Sequence, residues 1–131
     1  FFTVYGPYGR PDMAIYKFTK GILNNTQIDL YNYGKHQRDF THVDDIVDAM
    51  MKVVQLNKWG SIYELGRGEN YSINEIADVF HRCDTIPGVT YIEPIPGEVR
   101  HTLCKSELAR KKLKWEPKIN VDEWLEERLC K

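Results

Sequence analysis

The chain of 131 residues has the size of one ordinary domain, and 42% of its residues are hydrophobic, which is enough to bury a core. Eighteen basic and 19 acidic side chains leave a formal net charge of -1 at pH 7. This balance provides no broad positive field for a nucleic acid or an anionic membrane, although it allows a local anion site. Because it has neither an apolar run of roughly 20 residues nor a signal segment at its start, the chain is expected to be cytoplasmic, with no membrane partner.

Short strands and helices alternate along the first half of the chain. Gly6 and Pro7 end an apolar strand, and Pro11 suits the first turn of the helix that follows. Asp44 and Asp45 occupy the first turn of a second helix, where the helix dipole favours carboxylates. Strands are expected over residues 1–5, 28–31 and 38–42, and helices over residues 12–23 and 43–56.

The second half continues the same alternation. Ser72 and Glu75 form a capping box that opens a helix running to about residue 82, and Asn120 is a candidate cap for the last helix. Further strands are expected over residues 61–65 and 89–92, and further helices over residues 105–113 and 121–129. The mixture of short strands with about five helices predicts an α/β fold. The loop Gly66-Arg67-Gly68 is not a dinucleotide-binding turn, because it lacks the third glycine and a directly following helix.

The cysteines and histidines show neither a metal-binding nor a redox pattern. Cys83, Cys104 and Cys130 are odd in number and lack Cys-x-x-Cys spacing, so we expect three reduced thiols in a cytosolic protein. No two histidines have the i, i+4 spacing that places two imidazoles on one helical face. The sequence therefore predicts no metal site.

Two arginines stand where an extended segment leads into a helix. Arg38 has a planar fork that suits a diphosphate, but its spacing is equally compatible with an ion pair to Asp39 or Asp44. Arg10, taken alone, is interpreted as an exposed residue at a helix start. Thr3 and Arg10 flank one strand-to-loop turn, however, so a hydroxyl and a guanidinium can converge there on one carboxylate.

Two further side chains are candidates for contacts with a nucleoside. Tyr31 ends a strand seven residues before Arg38, so its ring can stack on a base or pack in the core. Glu98 lies in a Pro-Gly loop and can accept hydrogen bonds from a ribose or remain a solvated surface charge. The adjacent aspartates at residues 44 and 45 are interpreted as helix-start carboxylates, and no residue is predicted to be catalytic.

These segments resemble the C-terminal part of the extended short-chain dehydrogenase/reductase superfamily, in particular its NAD-dependent nucleotide-sugar epimerases and dehydratases. Residues 2–14 are most similar to the UDP-glucuronate 4-epimerase branch. The wider family is matched at residues 31–34, 38–40, 43–46, 63–66, 96–99 and 113–117. The resemblance implies that residues 1–131 form the small substrate-binding domain of a Rossmann-type enzyme and bind a UDP-sugar.

The resemblance also implies a role for each candidate residue. Arg38 would bind the UDP diphosphate, Tyr31 would lie against the uracil, Glu98 would contact the ribose, Thr3 and Arg10 would hold the uronate carboxylate, and Phe2 would lie near the nicotinamide of NAD. The family's Gly-rich turn and its catalytic Tyr-x-x-x-Lys pair belong to an N-terminal NAD-binding domain that this sequence does not contain. The chain alone is therefore expected to be inactive, as a piece of a longer and dimeric enzyme.

Some residues depart from the family pattern. Ile95 stands where related epimerases often have a polar or basic contact to the diphosphate, and Cys104-Lys105 replaces a usual Ala-Asp. These departures allow a different affinity or choice of sugar. An NAD-dependent UDP- or dTDP-sugar dehydratase or decarboxylase of the same family is an alternative to the epimerase. A second alternative is a short non-catalytic module that binds a nucleotide sugar.

Overall fold

The computed structural model describes residues 1–83 and 88–130. Its strands are β1 (Thr3–Tyr5), β2 (Ile28–Tyr31), β3 (Gln37–His42), β4 (Asn70–Ser72) and β5 (Val89–Ile92). Its helices are α1 (Ala14–Leu23), α2 (Val43–Gln55), α3 (Ile73–Arg82), α4 (Glu107–Leu113) and α5 (Val121–Leu129), and a 3-10 turn covers Asn32–Gly34. The α/β class and the prediction of about five helices are confirmed.

The strands form two small sheets. In the first, β1 and β3 pair in parallel, with Thr3 opposite Phe40, and β4 adds to the other edge of β3 in the antiparallel direction. In the second, β2 and β5 pair in parallel, beginning with Ile28 opposite Val89. On the central strand β3, Arg38 is paired with Tyr71 of β4, which holds its backbone in place.

Two groups of buried apolar side chains hold these elements together. The larger one surrounds Phe18, Phe40 and Phe80, with the rings of Phe18 and Phe80 edge to face at 5.6 Å. The smaller one surrounds Trp115, whose indole N–H donates to the Asp45 carbonyl at 2.8 Å. Because α2 and α4 contribute to the smaller group, it anchors the helix that follows β3.

Local caps begin three of the helices. The predicted capping box of α3 is confirmed, since the Ser72 hydroxyl accepts from the Glu75 N–H and the Glu75 carboxylate accepts from the Ser72 N–H. Asn120 caps α5 as predicted. The helix α2 is capped by His42, whose Nδ1 accepts from the Asp44 N–H at 3.1 Å. This cap ends β3 and starts α2 within a single residue.

The strand predicted over residues 61–65 is wrong, because no strand is assigned there in the part of the chain that the structure describes. Ile62 is almost fully exposed, whereas Leu65 is buried in the smaller core group. The segment has strand-like composition, but no described strand pairs with its backbone. The sequence interpretation also missed β4, which is only three residues long and polar, and which forms because β3 offers it an edge.

The expected three reduced thiols are also wrong. Cys83 and Cys130, 47 residues apart, are joined in a disulfide with their Cα atoms 4.7 Å apart. The reason is tertiary, since the packing of α3 against α5 brings the last turns of both helices together, which no local spacing reveals. Cys104 is a free and buried thiol. Within the described ranges, no helix is long and apolar enough to span a bilayer.

Candidate functional site

A cavity of about 480 Å³ is lined by residues from α1, from the strands β1 to β3 and from the loop that follows β5. It brings together all five side chains that the sequence analysis assigned to a substrate: Thr3, Arg10, Tyr31, Arg38 and Glu98. These residues are spread over most of the chain, so their convergence is a property of the fold. The cavity is mixed in character, with charged groups beside the apolar side chains of Phe40 and Ile95.

Arg38 lies on β3, is half-buried and forms no ion pair with the described residues. Its Nη1 donates to the neighbouring Gln37 carbonyl at 2.9 Å, and no carboxylate of the described residues lies within 4.0 Å of it. Burial lowers the pKa of the Arg38 guanidinium, and the charge of Glu98 partly opposes that shift. The spacing of Arg38 left open a phosphate contact or an ion pair. The structure shows no ion pair of Arg38 with Asp39 or Asp44.

Asp39 is fully buried on the other face of β3, as alternation along a strand requires. Its carboxylate accepts from the N–H groups of Arg67, Gly68 and Cys104 at 2.8 to 3.0 Å. The Thr41 hydroxyl is a fourth donor at 3.3 Å. These bonds fix the central strand to two loops, and so position the backbone from which Arg38 extends.

The hydrogen bonds of Asp39 also determine whether the loop at Gly66 to Gly68 can bind the pyrophosphate of NAD. The N–H donors of Arg67 and Gly68, in the loop that most resembles a phosphate-binding turn, are already bound to Asp39. They are not free to receive a pyrophosphate, so this loop is not a dinucleotide-binding turn. Phe2, the predicted nicotinamide neighbour, precedes β1 with 40% of its surface exposed and does not line the cavity.

Arg10 is exposed and is held by Asp12. Its Nε and Nη2 donate to the two carboxylate oxygens of Asp12 at 2.5 and 2.9 Å, which lowers the pKa of Asp12 and raises that of Arg10. Nη1 has no hydrogen-bond partner among the described residues. The ion pair with Asp12 thus orients the guanidinium and leaves its Nη1 group available as a donor. Arg10 and Thr3 both line the cavity.

The cavity lining also contains an aromatic ring, a lysine and a histidine. Tyr31 ends β2 and lines the cavity, and the ammonium of Lys17 on α1 lies 5.9 Å from its ring centroid. His36, which is only 6% exposed, places Nδ1 at 3.3 Å from a carboxylate oxygen of Glu98. This contact ties the loop after β5 to the start of β3.

The sequence analysis missed Lys17 and His36 as site residues. His36 was considered only as a metal ligand, although its position two residues before Arg38 predicts the same side of an extended segment. Lys17 is one turn beyond Ala14 on α1, and both line the cavity. The described residues contain no group of three or more side chains placed to hold a metal ion.

Comparison with known proteins identifies the family of this chain. Residues 1–66 match the model of the NAD dependent epimerase/dehydratase family. The UDP-glucuronate 4-epimerase of Thermodesulfobacterium geofontis is 38% identical over 128 residues, covering 95% of this chain and 39% of that protein. An uncharacterized protein of Methanocaldococcus jannaschii is 34% identical over 131 residues, covering 99% of this chain and 40% of that protein.

Solved structures show the same relationship. A UDP-glucuronic acid 4-epimerase from Bacillus cereus, in complex with UDP-glucuronic acid and NAD, superimposes with a TM-score of 0.87 at 28% identity, over 95% of this chain and 41% of that one. MoeE5 in complex with UDP-glucose and NAD gives 0.86 at 32% identity, over 95% and 42%. The chain therefore spans about two fifths of the length of these relatives. By its sequence and its fold, it belongs to the NAD-dependent epimerase/dehydratase family.

Proposed function

We propose that this chain is the substrate-binding domain of a UDP-glucuronate 4-epimerase, and that its cavity of about 480 Å³ holds the nucleotide sugar. The observation that carries the proposal is the convergence of Thr3, Arg10, Tyr31, Arg38 and Glu98 on that one cavity. Two relatives named above support the choice of sugar, since both are described as UDP-glucuronate epimerases.

Arg38 is proposed to bind the diphosphate. Its guanidinium is half-buried and free of carboxylate partners among the described residues, so a phosphate would compensate a charge that the protein leaves unpaired. Tyr31 would offer its ring to the uracil. Glu98, held by His36, would accept from the ribose hydroxyls.

Arg10 and Thr3 are proposed to hold the sugar carboxylate. The Asp12 carboxylate fixes one edge of the Arg10 guanidinium, which leaves Nη1 to donate to a second carboxylate. This clamp has a chemical purpose, because a 4-keto sugar with a carboxylate on C5 is a β-keto acid that readily loses carbon dioxide. Holding the carboxylate in place by two donors opposes that loss.

NAD is proposed to be held by polypeptide outside this chain, with Phe2 near its nicotinamide. The occupied amides of the Gly66 to Gly68 loop favour this division of the cofactor site. The catalytic acid and base are likewise assigned to polypeptide outside this chain, which is expected to be inactive by itself. The whole enzyme is expected to be a homodimer, and sedimentation velocity would test that.

The direct test is an activity assay of the full-length protein that carries this chain, with UDP-glucuronate and added NAD. Interconversion with UDP-galacturonate, followed by chromatography of the nucleotide sugars, is expected. An Arg10→Ala variant should lose affinity for UDP-glucuronate while its affinity for UDP-glucose is unchanged. Absence of interconversion in the wild type would remove the 4-epimerase assignment.

A dehydratase or decarboxylase of the same family is the second candidate. The dehydratase is favoured by the likeness to MoeE5, whose complex with UDP-glucose shows that a protein similar to this chain binds a sugar without a carboxylate. The decarboxylase, which needs a carboxylate on its substrate, is favoured by the complex of the same protein with UDP-glucuronic acid. The same assay separates these activities by product, because a decarboxylase releases carbon dioxide and a dehydratase yields a keto-deoxy sugar. A nucleotide-sugar-binding module without catalysis would bind UDP and turn over none of these substrates.

A further inference from the structure

Lys17 is a charged residue of the cavity that the assignment of roles above leaves unused. It extends from α1, whereas Arg38 extends from β3, and both line the same space. Its ammonium lies 5.9 Å from the centroid of the Tyr31 ring. No carboxylate of the described residues lies within 4.0 Å of it.

The charges around the cavity show why an unpaired Lys17 is important for binding a diphosphate. Arg10 is neutralised by Asp12, so it adds little net positive charge to the cavity. A diphosphate within a nucleotide sugar has about one negative charge on each phosphate, and a single guanidinium compensates only one of them. Ile95 on the loop after β5 lines the cavity and has no donor to offer. Lys17 is therefore the remaining unpaired cation of the described lining besides Arg38.

We infer that Lys17 is the second cation of the diphosphate site and acts together with Arg38, an inference that rests on the proposed function. The face of Tyr31 holds the ammonium over the cavity while no ligand is present, since a cation is attracted to the ring. When the base stacks on the ring, the flexible four-carbon stem of Lys17 lets the ammonium move to a phosphate oxygen. The affinity gained is that of one charge-assisted hydrogen bond.

The carboxylates near Lys17 do not remove its charge from the site. Asp29 and Asp12 also line the cavity, but neither is within ion-pair distance of the ammonium. The pKa of Asp12 is lowered first by its hydrogen bond from Arg10, and the positive charge of Lys17 adds to that effect. The charge of Lys17 therefore acts on Asp12 without a direct bond.

The test compares UDP with uridine, by titration calorimetry on the full-length protein that carries this chain. Lys17→Met should weaken UDP binding by about tenfold, the value of a charge-assisted hydrogen bond, and leave uridine binding unchanged. Lys20→Met is the matched control, because Lys20 lies on the same helix, exposed and outside the cavity lining. Ile95→Arg in the Lys17→Met protein should recover part of the lost UDP affinity, since it adds a cation to the lining of the same cavity.

The outcomes separate this inference from the proposed function. If Arg38→Ala weakens UDP binding and Lys17→Met does not, the inference is overturned and the nucleotide-sugar site stands. If Lys17→Met weakens UDP and uridine equally, the residue supports base stacking instead, which also overturns the inference. If the wild type binds no UDP, the proposed function itself fails.

Discussion

Replacing Asp39 with asparagine tests whether the buried carboxylate positions the central strand. One of its oxygens accepts from the Arg67 N–H at 2.8 Å and the Thr41 hydroxyl at 3.3 Å, and the other accepts from the N–H groups of Gly68 and Cys104 at 3.0 Å each. An asparagine side chain must put an NH2 group in place of one of these oxygens. Donors then face donors at a site without solvent access.

The expected cost follows from the better of the two amide orientations. With the NH2 group at the first oxygen, the Arg67 N–H keeps the Thr41 hydroxyl oxygen as an acceptor at 3.1 Å, and that hydroxyl can turn to accept from the amide. What is lost is the charge of the acceptor and one good bond to a buried N–H. Since a buried donor without an acceptor costs about 1–3 kcal/mol, and bonds to a charged group are the stronger ones, we expect Asp39→Asn to lower the free energy of unfolding by about 2–4 kcal/mol.

Urea unfolding of the full-length protein, followed by circular dichroism, measures this change. Asp78→Asn is the control, because Asp78 is an exposed carboxylate on α3, and it should change the unfolding free energy by less than about 0.5 kcal/mol. An Asp39→Asn protein within 1 kcal/mol of the wild type, on the order of one ordinary hydrogen bond, would refute the reasoning.

Three further predictions concern stability. Burial lowers the pKa of His42 below its usual value of 6.5, so the unfolded chain binds the proton more readily than the folded one. The free energy of unfolding of the wild type should therefore fall as the pH is lowered from 7.5 to 5.5. His42→Asn should show a smaller fall in urea unfolding, and the same dependence of stability on pH in both proteins would contradict this. Reducing the disulfide between α3 and α5 should cost about 4 kcal/mol, because it closes a loop spanning 47 residues, and Cys83→Ser should abolish the effect of reductant on the melting temperature. Gly66→Ala should destabilise the fold by about 1–3 kcal/mol, since the new Cβ would lie 2.5 Å from the Cβ of Cys104; a melting temperature equal to that of the wild type would exclude this close contact.

Local signals in the sequence were sufficient for most of the secondary structure. The capping box at Ser72 and the carboxylates after His42 marked helix starts that the structure has at the same residues. The strands over residues 28–31 and 89–92 were predicted with the bounds they have, because each is a short segment rich in aliphatic and aromatic residues between turn-forming residues. These features depend on neighbours within a few positions, which a sequence displays directly.

Interactions between distant segments were not predictable in the same way. Asp39 was considered as a partner for Arg38, yet its bonds are to loops 28 to 65 residues away. The disulfide joins helices whose packing no spacing indicates. The strand proposed over residues 61–65 has the right composition but no described partner, and composition alone does not supply one.

The candidate site was predicted by two kinds of argument. Spacing alone left Arg38 between a phosphate contact and an ion pair, and the family resemblance chose the phosphate. The structure then placed the five assigned side chains around one cavity, and added Lys17 and His36. Both additions face the cavity through tertiary packing, although the position of His36 two residues before Arg38 was a usable signal.

The most direct test of the account is the affinity of the full-length protein for UDP when Arg38 is replaced by alanine. Titration calorimetry should show binding weakened by about 10- to 100-fold, as expected for the loss of a charge-assisted contact to a phosphate. Arg82→Ala should bind as the wild type does, because Arg82 pairs with Glu126 and lies outside the cavity lining. Equal UDP affinity in the wild type and in Arg38→Ala would contradict the account.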